Sequence, residues 1–184
     1  MRVEAEQPNI VRISFHQDPG DPNYGSCIWA YFDFDLDKYM LNVQSDCGNA
    51  AYRWVATPDS ESFLHLMARI NDDYLLYKLF DPKQVDVDAT ISEVQQWLEA
   101  YELLDDDHEE REEALVELED ILCGADSASE AAQFIDNWCD VYGFLMDCSY
   151  DFVMTDFSAS QKRIVQIFAD YVQPKIQEIV REAE

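Results

Sequence analysis

The segment SCIWAYFDFDLD, Ser26 to Asp37, reads as the strongest strand of the chain, with apolar residues and aspartates alternating from Phe32 to Asp37. Successive side chains of an extended strand point to opposite sides. Ile28, Ala30, Phe32, Phe34 and Leu36 therefore share one face, and Trp29, Tyr31, Asp33, Asp35 and Asp37 share the other. NIVRISF (Asn9–Phe15) and YMLNVQS (Tyr39–Ser45) alternate in the same way. HQDPGDPNYG is a loop by its prolines and glycines, and DCGN is a turn. Ala50 to Val55 is a candidate fourth strand. Residues 1–57 thus read as a small antiparallel sheet with one face in need of cover.

Beyond the TPDS turn the apolar period becomes helical. Ser60 is the expected cap of a helix striped by Phe63, Leu66, Met67 and Ile70. Tyr74 to Phe80 is a further apolar run. Thr90-Ile91-Ser92-Glu93 has the capping-box form. Ser127 or Ser129 opens another helix that Gly143 ends, and Ser158 with Gln161 starts the last, in which Pro174 should cause a kink or break. The expected fold is α+β: a small N-terminal antiparallel β-sheet packed against a C-terminal set of about five or six helices. The sheet region is 1–57 and the helical region 58–184, with an acidic helix at about 107–123. The length suits one compact domain or two small lobes.

The formal net charge is −27, yet 48% of residues are hydrophobic and 13% aromatic, which argues for a folded chain rather than a disordered one. Such a charge disfavours direct contact with nucleic acid or an anionic membrane and favours fast encounter with a basic partner. No stretch approaches the ~20 apolar residues of a bilayer span. The N-terminus does not read as a signal peptide. A reducing bacterial cytoplasm is the expected compartment. Cys27, Cys47, Cys123, Cys139 and Cys148 are expected as small core residues.

The charge concentrates in DDDHEEREEALVELED, Asp105 to Asp120, where ten of sixteen residues are acidic. Ala114, Leu115, Leu118, Ile121 and Leu122 make a docking stripe on a helical wheel. Asp105, Asp106, Asp107, Glu109, Glu110, Glu112, Glu113, Glu117, Glu119 and Asp120 remain as a candidate partner-binding face. Carboxylates three and four apart without lysines between them cost a few tenths of a kcal/mol per pair. Helical rise spaces these acids about 2.4 Å apart along the axis, against one phosphate per ~1.7 Å in duplex DNA. Two readings compete: a solvated face that keeps the protein soluble, or a surface that fits a groove built for nucleic acid.

Little else points to chemistry. Asp33, Asp35 and Asp37 share a strand face, and such a trio can hold Mg²⁺ or Ca²⁺. Lys38 and Gln44 stand where a calcium loop needs glycine and glutamate. A charged strand edge is the preferred reading. His16, His65 and His108 are isolated, and no His/Cys cluster has zinc spacing. The phosphate-loop, dinucleotide and serine-hydrolase motifs are absent. Neither cofactor nor metal is expected, and the chain reads as non-enzymatic.

Cys47-Gly48-Asn49, Tyr52-Arg53-Trp54, Glu61-Ser62-Phe63 and Tyr74-Leu75-Leu76 resemble a family of small acidic proteins of phages and prophages in Firmicutes and related gut bacteria. The resemblance is strongest in the N-terminal half. It implies an inhibitor of host defence of the anti-CRISPR type. The matching expectation is a protein that binds a guide-loaded type II CRISPR effector nuclease and blocks DNA (PAM) recognition by acidic mimicry. Trp29, Tyr31, Asp33, Asp35 and Asp37 are candidate secondary contacts. The alternatives are an immunity or antitoxin protein that neutralises a basic nuclease toxin, and a metal-dependent enzyme using Asp33, Asp35 and Asp37.

Overall fold

The computed structural model describes residues 3, 5, 7–21, 24–57, 59–101, 108–144 and 149–183, and for 108–111 the backbone alone. An N-terminal four-stranded antiparallel sheet is followed by helices, an α+β arrangement. The strands are β1 (Ile10–His16), β2 (Trp29–Asp35), β3 (Met40–Ser45) and β4 (Gly48–Arg53), in the order β1-β2-β3-β4. The fourth strand begins two residues before the expected Ala50, because Asp46 and Cys47 alone make the turn and Ser45 pairs directly with Gly48.

The chain divides into two compact units, residues 1–81 with 159–184, and residues 82–158. The expected helical region 58–184 is thus shared between them. In the first unit, Val11, Ile13 and Phe15 of β1 lie beside Phe34, Phe32 and Ala30 of β2. Leu41 and Val43 of β3 complete the apolar face. It is covered by α1 (Phe63–Arg69), α2 (Asp72–Leu79) and a helical run at the C-terminal end, α6 (Ala159–Ile167), a π turn (Phe168–Val172) and α7 (Gln173–Ala183). Phe32 meets Phe168 at 6.1 Å between ring centroids, and Phe34 meets Phe63 at 6.2 Å.

Two helix caps differ from expectation. The cap of α1 is Ser62, not Ser60: Ser62 accepts from the His65 amide, whereas the Ser60 hydroxyl accepts from the Thr57 amide. The break expected at Pro174 takes the form of a π turn just before it, and the helical run continues beyond. The Gln173 amide reaches back five residues to the Phe168 carbonyl, and the π turn leaves Pro174 at the start of α7, where its missing N–H goes unmissed.

The other cap is that of α3 (Val87–Ala100) in the second unit. Its cap is Asp86, whose carboxylate accepts from the Ala89 amide at 3.0 Å. Thr90, the expected cap, is fully buried, and its hydroxyl accepts from the Met154 amide at 3.0 Å. That bond supports a short ribbon of β5 (Gln84–Val85) with β6 (Thr155–Asp156). α4 (His108–Leu122) and α5 (Ala128–Tyr142) close the unit. Val94 and Leu98 of α3, Ala114, Leu118 and Leu122 of α4, and Ala131, Ile135, Trp138 and Cys139 of α5 form its separate core. Ser127 caps α5. Gly143 ends it in the left-handed conformation (φ 73°), where a side chain would be strained.

The register of α4 has a direct check. Leu118→Ala should cost about 2–5 kcal/mol of unfolding free energy, because it empties a fully buried position. Val116→Ala, two residues away on the exposed side, should stay within about 0.5 kcal/mol. Urea unfolding followed by circular dichroism separates the two outcomes.

Candidate functional site

α4 is amphipathic by position. Ala114, Leu118 and Leu122 are buried, with Leu115 and Ile121 half-buried beside them. The Trp138 indole N–H donates to the Ala114 carbonyl at 3.0 Å, which locks α4 against α5. At 100° per residue, the remaining positions form one continuous arc, in the order Glu119, Glu112, Val116, Asp120, Glu113 and Glu117. All six side chains are exposed. Val116, 57% exposed, is an apolar spot inside a ring of carboxylates. Glu117, at the edge of the arc, accepts from the Tyr142 hydroxyl at 2.7 Å.

Of the other expected face residues, Glu109 and Glu110 lie on the first turn of α4. Asp105, Asp106 and Asp107 fall outside the described residues. The surroundings of the arc are acidic too. From Glu112 to Gln161, fifty residues pass without a lysine, arginine or histidine and with twelve acids. Residues 82–158 hold 22 acids and two bases, net −20, whereas the other unit holds 17 and ten, net −7. Such a one-sided surface repels anions and concentrates cationic groups around it.

The expected secondary contacts lie in the first unit, on the sheet face away from the helices. Trp29 and Tyr31 are half-buried there, with ring centroids 5.2 Å apart. His16 stands at the edge of Tyr31, and the Arg12 guanidinium lies 5.3 Å from the Tyr31 ring centroid. A groove of about 630 Å³ runs beside Trp29 past Asn42, Gln44 and Asn49.

The aspartate trio does not act as one group. Asp33 is buried and takes Arg12 through both carboxylate oxygens, each at 2.5 Å, and this ion pair holds the arginine above its ordinary pKa. Asp35 is buried and accepts from the amides of Asp37 and Lys38, which shapes the β2–β3 turn. Asp37 is exposed in that turn. The charged-edge reading fails as well, since β2 is an interior strand flanked by β1 and β3.

The cysteines meet expectation in part. Cys27 and Cys139 are buried core residues and Cys47 packs half-buried against the first core, whereas Cys123 is exposed and Cys148 falls outside the described residues. Cys27 and Cys47, twenty residues apart in sequence, meet at the end of the sheet together with Asp46. One ligand atom from each of the three lies within 4.8 Å of the other two. Among the described residues this is the one group of His, Cys, Asp or Glu close enough to share a metal ion. Neither cysteine belongs to a spacing motif. The only local signal was the DCGN turn, whose partner could not be known before strand pairing.

The family model Phage_phiTE_072, a phage family, matches residues 1–182 of the chain. The chain belongs to this phage protein family. No curated protein and no solved structure matches it. No helix among the described residues is long and apolar enough to cross a membrane.

Burial, first, and the neighbouring Cys47 push the Cys27 thiol up to about 12. The thiolate is the nucleophile, so Cys27 stays largely unreactive until strongly alkaline pH. In metal-free reducing buffer near pH 8, iodoacetamide should label Cys123 at least about tenfold faster than Cys27. Peptide mass spectrometry reads the ratio.

Proposed function

We propose that this phage-family chain is a non-enzymatic inhibitor of a bacterial nucleic-acid-binding protein, of the anti-CRISPR kind. Its target is a type II CRISPR effector nuclease. The observation that carries this reading is the arc of α4, five exposed carboxylates around one exposed valine, inside a fifty-residue run that holds no base. Arginines that read a PAM or grip phosphates present planar forks that carboxylates satisfy bidentately. Inserted in a DNA channel, the arc supplies charge at a spacing of the same order as that of phosphates. Val116 supplies a dry centre, as interface anchors do within a polar rim. A solvated helix kept only for solubility needs neither feature, because lysines at i+4 relieve the repulsion while the surface stays charged and hydrated.

The Trp29–Tyr31 pair on the open sheet face is a secondary contact in this proposal. Of the aspartate trio only Asp37 remains available for one, since Asp33 and Asp35 hold the sheet together.

Binding to the guide-loaded effector should weaken steeply with salt and disappear once target DNA is already bound. Reversing Glu112, Glu113, Glu119 and Asp120 to lysine should cost at least about 100-fold in affinity, since close interfacial charge pairs couple by about 1.5 kcal/mol or more each. The circular dichroism spectrum should stay unchanged. Unaltered affinity in that variant would reduce the arc to a solvated face. Absence of effector binding together with neutralisation of a basic nuclease toxin would transfer the same face to an immunity role.

A further inference from the structure

The end of the sheet away from the β2–β3 turn carries an arrangement that acidic mimicry does not use. The chain enters β2 through Gly25, at φ 105°, and Cys27, at φ 70°. A left-handed conformation is uncommon for a side chain such as cysteine, and its cost must be met by neighbouring contacts. The β3–β4 turn lies beside this entry. Asp46 accepts from the amides of Ile28 (3.0 Å) and Trp29 (3.2 Å), one on each carboxylate oxygen. These bonds hold its carboxyl below the usual range despite opposing desolvation. The Ser45 hydroxyl donates to the Gly48 carbonyl at 2.6 Å and accepts from the Cys47 amide at 3.2 Å, which makes the turn rigid. Two loops distant in sequence are thus fixed with Cys27, Asp46 and Cys47 facing one point.

We propose that Cys27, Asp46 and Cys47 form a binding site for a zinc-type divalent cation, which staples the β3–β4 turn to the entry of β2. Two thiolates and a carboxylate match the preference of zinc for sulfur with a borderline oxygen. Ligand atoms about 2.3 Å from a tetrahedral ion stand about 3.7 Å apart, and the three atoms here already lie within 4.8 Å of one another. Small side-chain rotations close the shell. The amides of Ile28 and Trp29 fix the orientation of Asp46 as outer-shell partners do, and a carboxylate with about four lone-pair sites can still offer one to the metal. The fourth position faces a cavity of about 300 Å³ that is also lined by Ser160 and Arg163 and has room for water. Arg163 donates to the Ser26 carbonyl at 3.2 Å, so α6 holds the same loop from the other side.

The test uses the full chain, reduced and stripped with chelator. It is loaded with zinc, desalted, and measured for bound metal. Cobalt loading is run in parallel, because a thiolate–cobalt charge-transfer band reports sulfur ligation and is blind to carboxylate binding on so acidic a surface. The expected result is one zinc per chain, a thiolate–cobalt band, protection of the half-buried Cys47 from alkylation, and a raised melting temperature. Cys47→Ser should abolish the band. It is the informative variant because Cys47 is only half-buried in a turn, so the fold should tolerate the change. Asp46→Asn should weaken zinc by at least about tenfold, as changes even one shell further out do, while Cys123→Ser should leave it unaltered. Zinc retained equally by Cys47→Ser, no thiolate–cobalt band, or a Cys27–Cys47 disulfide in the intact protein purified under reducing conditions would each overturn the proposal.

Discussion

The apolar face of the four-stranded sheet is the constraint on which the first unit depends. Phe32, Phe34, Leu41 and Val43 have almost no exposure, and an antiparallel meander cannot cover its own face. The two short helices that follow the sheet bring Phe63, Met67, Leu75 and Leu79. The rest of the cover comes from the far end of the chain, where Ile164, Ile167, Phe168, Val172 and Ile176 return after the second unit is complete. Polar groups make that return specific. Gln173 donates to the carbonyls of Met67 and Ile70, and Gln177 donates to that of Ala68. These are the orphan acceptors at the end of α1, and leaving them unmet would be costly.

The second unit solves a different problem. Its like charges repel, so its stability has to come from packing. α4 contributes Ala114, Leu118 and Leu122 to a core with Trp138 and Ile135 at its centre, and the Trp138 indole bond to the Ala114 carbonyl adds direction. Aromatic contacts among Trp97, Trp138, Tyr142, Phe144 and Phe152 extend it. A helix held this firmly keeps its carboxylates at the spacing of the helical backbone.

The polar face of the sheet shows how one sequence pattern can serve unlike purposes. Trp29, Tyr31, Asp33 and Asp35 alternate correctly with the core residues, but their shared face does not give them a shared role. Pairing decides: Asp33 stands opposite Arg12 across β1, whereas Asp35 lies next to a turn whose amides need an acceptor. Local spacing finds which side a residue faces and is silent about its partner.

Much of the fold was legible in the residues themselves. The period of two in Trp29–Asp35, the change to helical period after the TPDS turn, the Gly143 stop and the apolar stripe of α4 follow from local geometry, and the structure keeps all four, although Ile28, expected on the apolar face just before the strand, is exposed. The acidic arc was legible for the same reason, since a helix places its own residues without help from the rest of the chain. Tertiary structure decided whatever depends on residues far apart. It chose Asp86 over Thr90 as a cap because Met154 claims the threonine hydroxyl. It made β2 an interior strand, returned the C-terminal helix to the sheet, and brought Cys27 to Cys47 through pairing that no spacing rule encodes. The physical reason is common to these cases: hydrogen bonds and burial are satisfied by whichever group lies nearest in space, and only the folded chain determines which group that is.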